Sequence, residues 1–335
     1  MSASPHLLIL CRDPDNASFR QRVGIYLPDL RARGIEPDVQ PLAGGMLARR
    51  RQLRAARGFD AVLLQRKTLT AWDAAALRPR GAKLIYDFDD AVMYKTGPRA
   101  TSPHPARLRR FRRTVRASRL VLAGNSLLAE VAREAGAPEA VVIPTGLDIA
   151  RYTAKSEHAA AGPLRLVWIG SRSTLRQITS FLPVFEAIGR RAPGTVLRII
   201  ADAALEARHI TVENVPWSRE AEAALLAECD IGLSPLPDTP FTRGKCAFKI
   251  VQYMAAGLPV ITSPVGANAE YVRDGETGLW AETHEQWLAA FDRLAGDAAL
   301  RASMGRAGRA FAERHLARNV LAGRLCDAVN RCLAG

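Results

Sequence analysis

No run of about 18 apolar residues occurs in the 335-residue chain, and the first apolar stretch, Leu7 to Cys11, is followed at once by Arg12 and Asp13. The sequence therefore offers neither a transmembrane helix nor a signal peptide, and a cytoplasmic protein is expected. Cysteine is scarce. Cys11, Cys229, Cys246, Cys326 and Cys332 are odd in number, widely spaced and free of any C-x-x-C pair, so they read as reduced and mostly structural. The six histidines are equally scattered, without H-x-x-x-H or H-E-x-x-H, which leaves a protein-held metal unsupported. The fingerprint G-x-G-x-x-G is missing after the first apolar run, disfavouring an ordinary NAD-binding dehydrogenase. No aromatic stacking platform or nucleic-acid motif is present either, so nucleic acid is not an expected partner.

What is present is an ordinary globular composition, 48% hydrophobic and 24% charged, in a chain long enough for two cores. Its net charge of +14 is distributed unevenly: residues 1–150 carry 25 Lys+Arg against 14 Asp+Glu, and the remainder 22 against 19. A protein so basic is drawn to polyanions, and the pull comes from the first half.

Short apolar runs alternate with segments of helical spacing. Strands are expected at 6–11, 61–64, 83–86, 120–123 and 140–143, with helices at 19–32, 70–77 and 126–135. Residues 151–163, RYTAKSEHAAAGP, are small and polar without a period and read as a linker. Beyond it strands are expected at 164–169, 196–201, 231–234 and 259–263, helices at 177–191, 220–228 and 248–256, and an almost wholly helical tail from 285. Such alternation predicts α/β architecture with parallel sheets covered on both faces. The domains are accordingly 1–150 and 164–335, and ligands belong at the carboxyl ends of the strands.

The richest stretch is 243–280, RGKCAFKIVQYMAAGLPVITSPVGANAEYVRDGETGLW. It reads as a basic loop, a helix, a Gly-Leu-Pro turn, a strand and a polar loop in which Gly266, Gly275 and Gly278 permit close approach of a ligand. Lys245 and Lys249 bring positive charge to a helix N-terminus, which suits a pyrophosphate. This stretch resembles the donor-binding region of family 4 glycosyltransferases (glycosyl transferases group 1), where the run matching KIVQYMAAGLPVI commonly carries Glu at the position of Gln252. The resemblance implies a GT-B fold, two Rossmann-like doubly wound domains facing a cleft, with a nucleotide diphosphate sugar as substrate. It also implies catalysis without a metal or other cofactor and, usually, retention of anomeric configuration. By the same resemblance Lys249 lies near the donor diphosphate, Gln252 near the ribose, and Gly266, Ala267 and Asn268 shape the adjoining loop, with Glu270 after it. The chain departs from the family's E-x7-E pair, having Gly244 and Gln252 at those positions. Gln can still bond ribose hydroxyls as donor and acceptor, and Asp238, in PLPDTPF, is the nearest acidic substitute for the first Glu.

A second match, WIGSRSTLRQ at 168–177, follows a strand and groups Gly170, Ser171, Arg172, Ser173, Thr174 and Arg176 at a helix start. Related enzymes hold the diphosphate there with Gly-Arg and a later Lys, so Arg172 and Arg176 are candidate diphosphate ligands, with surface charge as the alternative. In the first half, YDFDDAV at 86–92 puts three carboxylates in four residues. Such crowding calls for a cationic partner, for which Arg66 and Lys67 are suited. Asp89 or Asp90 would orient or deprotonate an acceptor hydroxyl, cap a helix while balancing local arginines, or, in a GT-A-like reading, hold a divalent metal. NASFRQR at 16–22 resembles the family's first loop, which implies that Arg20 and Arg22 face the donor diphosphate or the acceptor. VIPTGLDIARY at 142–152 resembles the close of the family's N-terminal domain.

The segment RLRRFRRTVRASR, 107–119, interleaves Leu108, Phe111 and Val115 among arginines. It reads either as a basic amphipathic helix on an anionic membrane surface or as a solvated helix. Lipid-linked acceptors, common among similar enzymes, favour the first. The expected function is therefore transfer of a sugar to a glycan or lipid-linked acceptor. A nucleotide-sugar epimerase of the same fold, or an inactive basic binding protein, are the alternatives.

Overall fold

The computed structural model describes residues 4–77, 83–95, 102–158 and 162–334. It divides into two compact units, the first made of Met1–Gly146, Thr239–Cys246 and Arg318–Gly335, the second of Leu147–Asp238 and Ala247–Ala317. The division departs from the sequence expectation, in which residues 164–335 form one continuous domain.

The first sheet contains β1 (His6–Cys11), β2 (Glu36–Pro41), β3 (Ala61–Gln65), β4 (Lys83–Phe88), β5 (Leu120–Ala123) and β6 (Ala140–Val142), all parallel in the order β2-β1-β3-β4-β5-β6. The central strands are buried on both faces, as AVLL and LVLA demand. One face is covered by the helix Arg318–Ala334, which buries Leu321, Leu325, Cys326, Val329 and Cys332 with Leu7, Ile9, Leu63 and Ile85. That burial explains why the last helix belongs to the first unit.

The second sheet contains β7 (Arg165–Ile169), β8 (Val196–Ile200), β9 (Thr211–Val215), β10 (Ile231–Ser234), β11 (Val260–Thr262) and β12 (Gly278–Trp280), parallel in the order β12-β11-β10-β7-β8-β9. The segment expected to be a linker packs within this unit: Tyr152 and His158 are buried, and Lys155 Nζ is 2.8 Å from both Cys229 O and Asp230 Oδ1. Residues 159–161 of that segment lie outside the described residues.

Two expected helices are each broken in two. The first becomes Ala17–Arg22 and Leu27–Ala32, and the second becomes Arg172–Thr179 and Leu182–Arg191. In both, a proline (Pro28, Pro183) sits in the first turn of the later piece, where its missing N–H is tolerated. The arginine-rich helix, Pro105–Ala117, turns Phe111 and Val115 into the core, where Phe111 meets the Tyr86 and Phe88 rings edge-on. These apolar residues are therefore not available to a lipid surface. Arg109, Arg110, Arg112 and Arg116 form the exposed side.

All five cysteines are free and buried; burial pushes the Cys229 thiol up to about 12, which keeps it protonated and unreactive. No helix among the described residues is long and apolar enough to cross a membrane. Because Leu325 is buried in the first unit's core, Leu325→Ala should destabilise that unit by about 2–5 kcal/mol, read as a lowered urea midpoint.

Candidate active site

In the first sheet β1 and β3 are neighbours whose connections leave in opposite directions, to β2 and to β4. A crevice at such a switch point is where open α/β sheets bind ligands. Asn16 caps the helix Ala17–Arg22 by accepting from Ser18 N at 2.9 Å, which sets Ser18 over the strand ends. Ser18 Oγ donates to Asp89 Oδ2 at 3.2 Å and accepts from Gln65 Nε2 at 3.1 Å and Arg66 Nη1 at 2.9 Å. Arg66 has a left-handed backbone, φ 58°, a strain of about 1–3 kcal/mol for a residue with a Cβ. It is held there by Nε 3.2 Å from Asp89 Oδ1, by Nη2 3.0 Å from Asp90 Oδ2, and by its own N–H, which donates to Asp87 O at 2.7 Å. Burial works against its charge, but Asp89 and Asp90 outweigh burial and its pKa is raised.

Lys245 lies in this unit, whereas Lys249 and Gln252, with which the sequence groups it, lie in the other. Its Nζ is 3.5 Å from Asp90 Oδ2 and its carbonyl accepts from Asn125 Nδ2 at 3.0 Å. The neighbouring Cys246 donates Sγ–H to Asp89 O at 3.1 Å. A Cβ at Gly244 would lie 2.7 Å from the Ala91 Cβ, so the position that carries the family's first Glu has no room for a side chain here.

Arg22, expected to face a ligand, is buried at 1% exposure. Its guanidinium pairs with both Asp87 oxygens and donates to Ile143 O. Burial opposes its charge and the Asp87 carboxylate more than restores it, while burial pushes the Asp87 carboxyl upward against Arg22. This is a structural ion pair. Arg20 is half-buried and donates to Asp15 O. Lys67 makes no ion pair with Asp89 or Asp90 among the described residues; burial, then Arg12 and Arg49, lower its pKa, so it stands among cations. A cavity of about 940 Å³ floored by Val62, Leu84 and Leu108 and rimmed by Arg109, Arg112 and Arg116 shares no residue with the Asp89 cluster.

In the second sheet the switch point falls between β7 and β10. Tyr253, on the helix Phe248–Ala255, joins these strands: its hydroxyl accepts from Ile169 N and donates to Leu233 O, both at 3.1 Å. Gly232 leaves room for its ring, 2.5 Å from where a Cβ would stand. With Tyr253 fixed, the same helix carries Lys249 and Gln252, and Lys249 Nζ rests 5.4 Å over the Trp168 ring of β7. Gly170 follows β7; a Cβ there would meet Trp168 at 2.3 Å. At the next helix start, Ser171 N donates to Thr174 Oγ1 at 3.0 Å and Arg172 N to the Asp202 carboxylate. The Arg172 guanidinium turns to Asp202 O at 2.9 Å, whereas Arg176 is exposed, as is Ser173. Asn268 is buried, its Nδ2 2.9 Å from Thr262 Oγ1 and 3.3 Å from Ser234 Oγ, which ties the Gly266 loop to β10 and β11. Gly266 has φ 56° and ψ −132°, a conformation that needs glycine. Asp238 is exposed in the loop after β10. Sequence reasoning missed Ser18, Gln65, Tyr253 and Glu222, the last a buried carboxylate bonded to Gln252. No local pattern marks them, since each matters through a partner distant in sequence.

Two parallel doubly wound sheets, one in each unit, give the chain a GT-B fold. Residues 163–297 match the family Glycosyl transferases group 1. Glycogen synthase from Mycobacterium tuberculosis is 24% identical over 155 residues, 43% of this chain, and the match spans only 36% of that protein. By fold, sucrose-phosphate synthase from Thermosynechococcus elongatus aligns with a TM-score of 0.79 at 14% identity, over 98% of this chain and 99% of that one. The Anabaena protein HepE, solved with UDP and glucose, aligns with a TM-score of 0.72 at 17% identity, over 98% and 100%.

The two arginine–aspartate sites should separate on mutation. Arg22→Met strands a buried Asp87 carboxylate and should cost about 3–5 kcal/mol in urea denaturation, whereas Arg66→Ala, at a partly exposed pair, should cost under about 1 kcal/mol.

Proposed function

We propose that the chain transfers a sugar from a nucleoside diphosphate sugar to a hydroxyl of a glycan or lipid-linked acceptor, with retention of configuration and without a metal. The observation that carries this reading is the set at the β7–β10 switch point: Gly170 kept open beside Trp168, and Lys249 and Gln252 presented on one helix by Tyr253. In this reading Lys249 and Arg176 take the diphosphate, since negative charge grows on the leaving group as the glycosidic bond breaks. The N–H groups of Ser171 and Arg172 are already engaged by Thr174 and Asp202, so side chains carry most of that work. Gln252 contacts the ribose. HepE, solved with UDP and glucose, supports this class of donor.

On the acceptor side Asp89 and Asp90, ordered by Arg66, Ser18 and Lys245, orient the attacking hydroxyl, and one of them takes its proton. Asp238 supplies the sugar contact for which Gly244 leaves no room. An anionic membrane is the surface at which a lipid-linked acceptor would be met. Contact would run through the exposed arginines of Pro105–Ala117, helped by Met46, Leu47 and Trp72, which are exposed in the same unit.

Lys249→Ala should lower turnover by about 100-fold or more while leaving the melting temperature within about 2 °C; normal turnover would remove Lys249 from the diphosphate site. A thermal-shift screen with UDP, GDP, ADP and TDP should give one selective stabilisation, and none at all would favour the binding-protein reading. The combined variant Arg109→Glu, Arg112→Glu, Arg116→Glu should abolish co-sedimentation with phosphatidylglycerol vesicles while the wild-type chain ignores phosphatidylcholine.

A further inference from the structure

Gln252 is 4% exposed, and its Nε2 donates to Glu222 Oε2 at 3.1 Å. Glu222 opens the helix Glu222–Ala227 and is itself only 3% exposed. Two further donors converge on it: the Tyr152 hydroxyl reaches Oε1 at 2.7 Å and Trp217 Nε1 reaches Oε2 at 2.8 Å. Burial, then the Glu222 carboxylate, raise the Tyr152 pKa, so that hydroxyl keeps its proton, and an indole nitrogen is only ever a donor. A buried carboxylate held by three donors from three segments is a fixed acceptor. It admits one orientation of the Gln252 amide, with NH₂ inward and oxygen outward. Among the described residues no donor bonds that amide oxygen, and it is not among the fully buried side-chain atoms that lack a partner.

The geometry points to Glu222 as a positioning residue for the nucleotide. By fixing the Gln252 amide it presents the oxygen as an acceptor for a ribose hydroxyl of a nucleoside diphosphate, which restores the acceptor that a Glu at position 252 would supply. This rests on the reading of Gln252 as the ribose contact. A carboxylate at 252 needs no such lock, because both its oxygens accept. Placed about 3 Å from Glu222, however, it would set two negative charges against each other in a buried site. Amide and carboxylate at these two positions are therefore one unit, and which position carries which group is exchangeable only if both change.

The test is a four-protein set: wild type, Glu222→Gln, Gln252→Glu, and the double variant. Each is titrated calorimetrically with whichever of UDP, GDP, ADP and TDP the wild type binds most tightly, with the melting temperature recorded for each protein. Each single variant should bind about 10-fold more weakly, the worth of one lost hydrogen bond. The double variant should return to within about 3-fold of wild type, since the exchanged pair again leaves one acceptor facing the ribose. For the sugar nucleotide, KM should follow the same pattern while kcat moves by less than about 3-fold. Should Glu222→Gln unfold the chain, a Gln252→Met background serves. There, adding Trp217→Phe, which loosens Glu222 without removing it, should change affinity no further, while alone it should weaken binding. Single variants that bind like wild type, or a double variant no better than the weaker single, overturn the lock and leave the donor site standing. A wild-type chain that binds none of the four nucleotides overturns both.

Discussion

A strand buried on both faces of a parallel sheet has nowhere to put a polar group except at its ends, and both units of this protein are built under that constraint. Ladder bonds consume the backbone donors and acceptors within the sheet, and apolar side chains fill the layers on either side. Carboxylates, amides and guanidinia accumulate instead where β3, β4, β7, β10 and β11 stop. Arg198, inside β8, and Asp87 are exceptions, and Asp87 is the instructive one. It lies inside β4, fully buried, and the structure tolerates it only by sending Arg22 in beside it, a pairing that stabilises little overall but is costly to break. Two residues further along, at the strand's end, Asp89 meets a partly exposed arginine instead, and the same charge pairing is open to solvent.

The same constraint explains how much was legible in the sequence. Central strands such as AVLL at 61–64 and IGLS at 231–234 announce themselves as short apolar runs, and the residues after them are the natural places to look for chemistry. Two of the edge strands do not. β2, EPDVQP, and β9, TVENV, are half-exposed and polar, as strands with an open edge tend to be, and neither stands out from a loop. The pairing of Arg66 with the acidic cluster could be read from proximity to a strand end, whereas the withdrawal of Arg22 into the core could not. Both are arginines near the start of the chain's polar loops, and only tertiary placement distinguishes them. Glu222 was hidden for a related reason: in SREAEAALLAE it looks like any solvated acid on a helix, and only the approach of Tyr152 and Trp217 turns it inward.

Positions 244 and 252, where the sequences this chain resembles carry glutamates, are two separate physical situations. At 244 the backbone runs so close to Ala91 that a side chain has no room. At 252 space remains, but a negative neighbour already occupies the ground. The first is a steric exclusion and the second an electrostatic one.

The final helix, Arg318–Ala334, fills the core of the unit in which the chain starts. On a ribosome the second unit has all its residues once position 317 emerges, while the first still lacks one side of its core. Residues 1–146 thus complete their core after residues 147–317 do, and until then the cluster around Leu7, Ile9, Leu63 and Ile85 lacks Leu321, Leu325 and Val329. A nascent chain stalled shortly before residue 318 would be the species most in need of a chaperone.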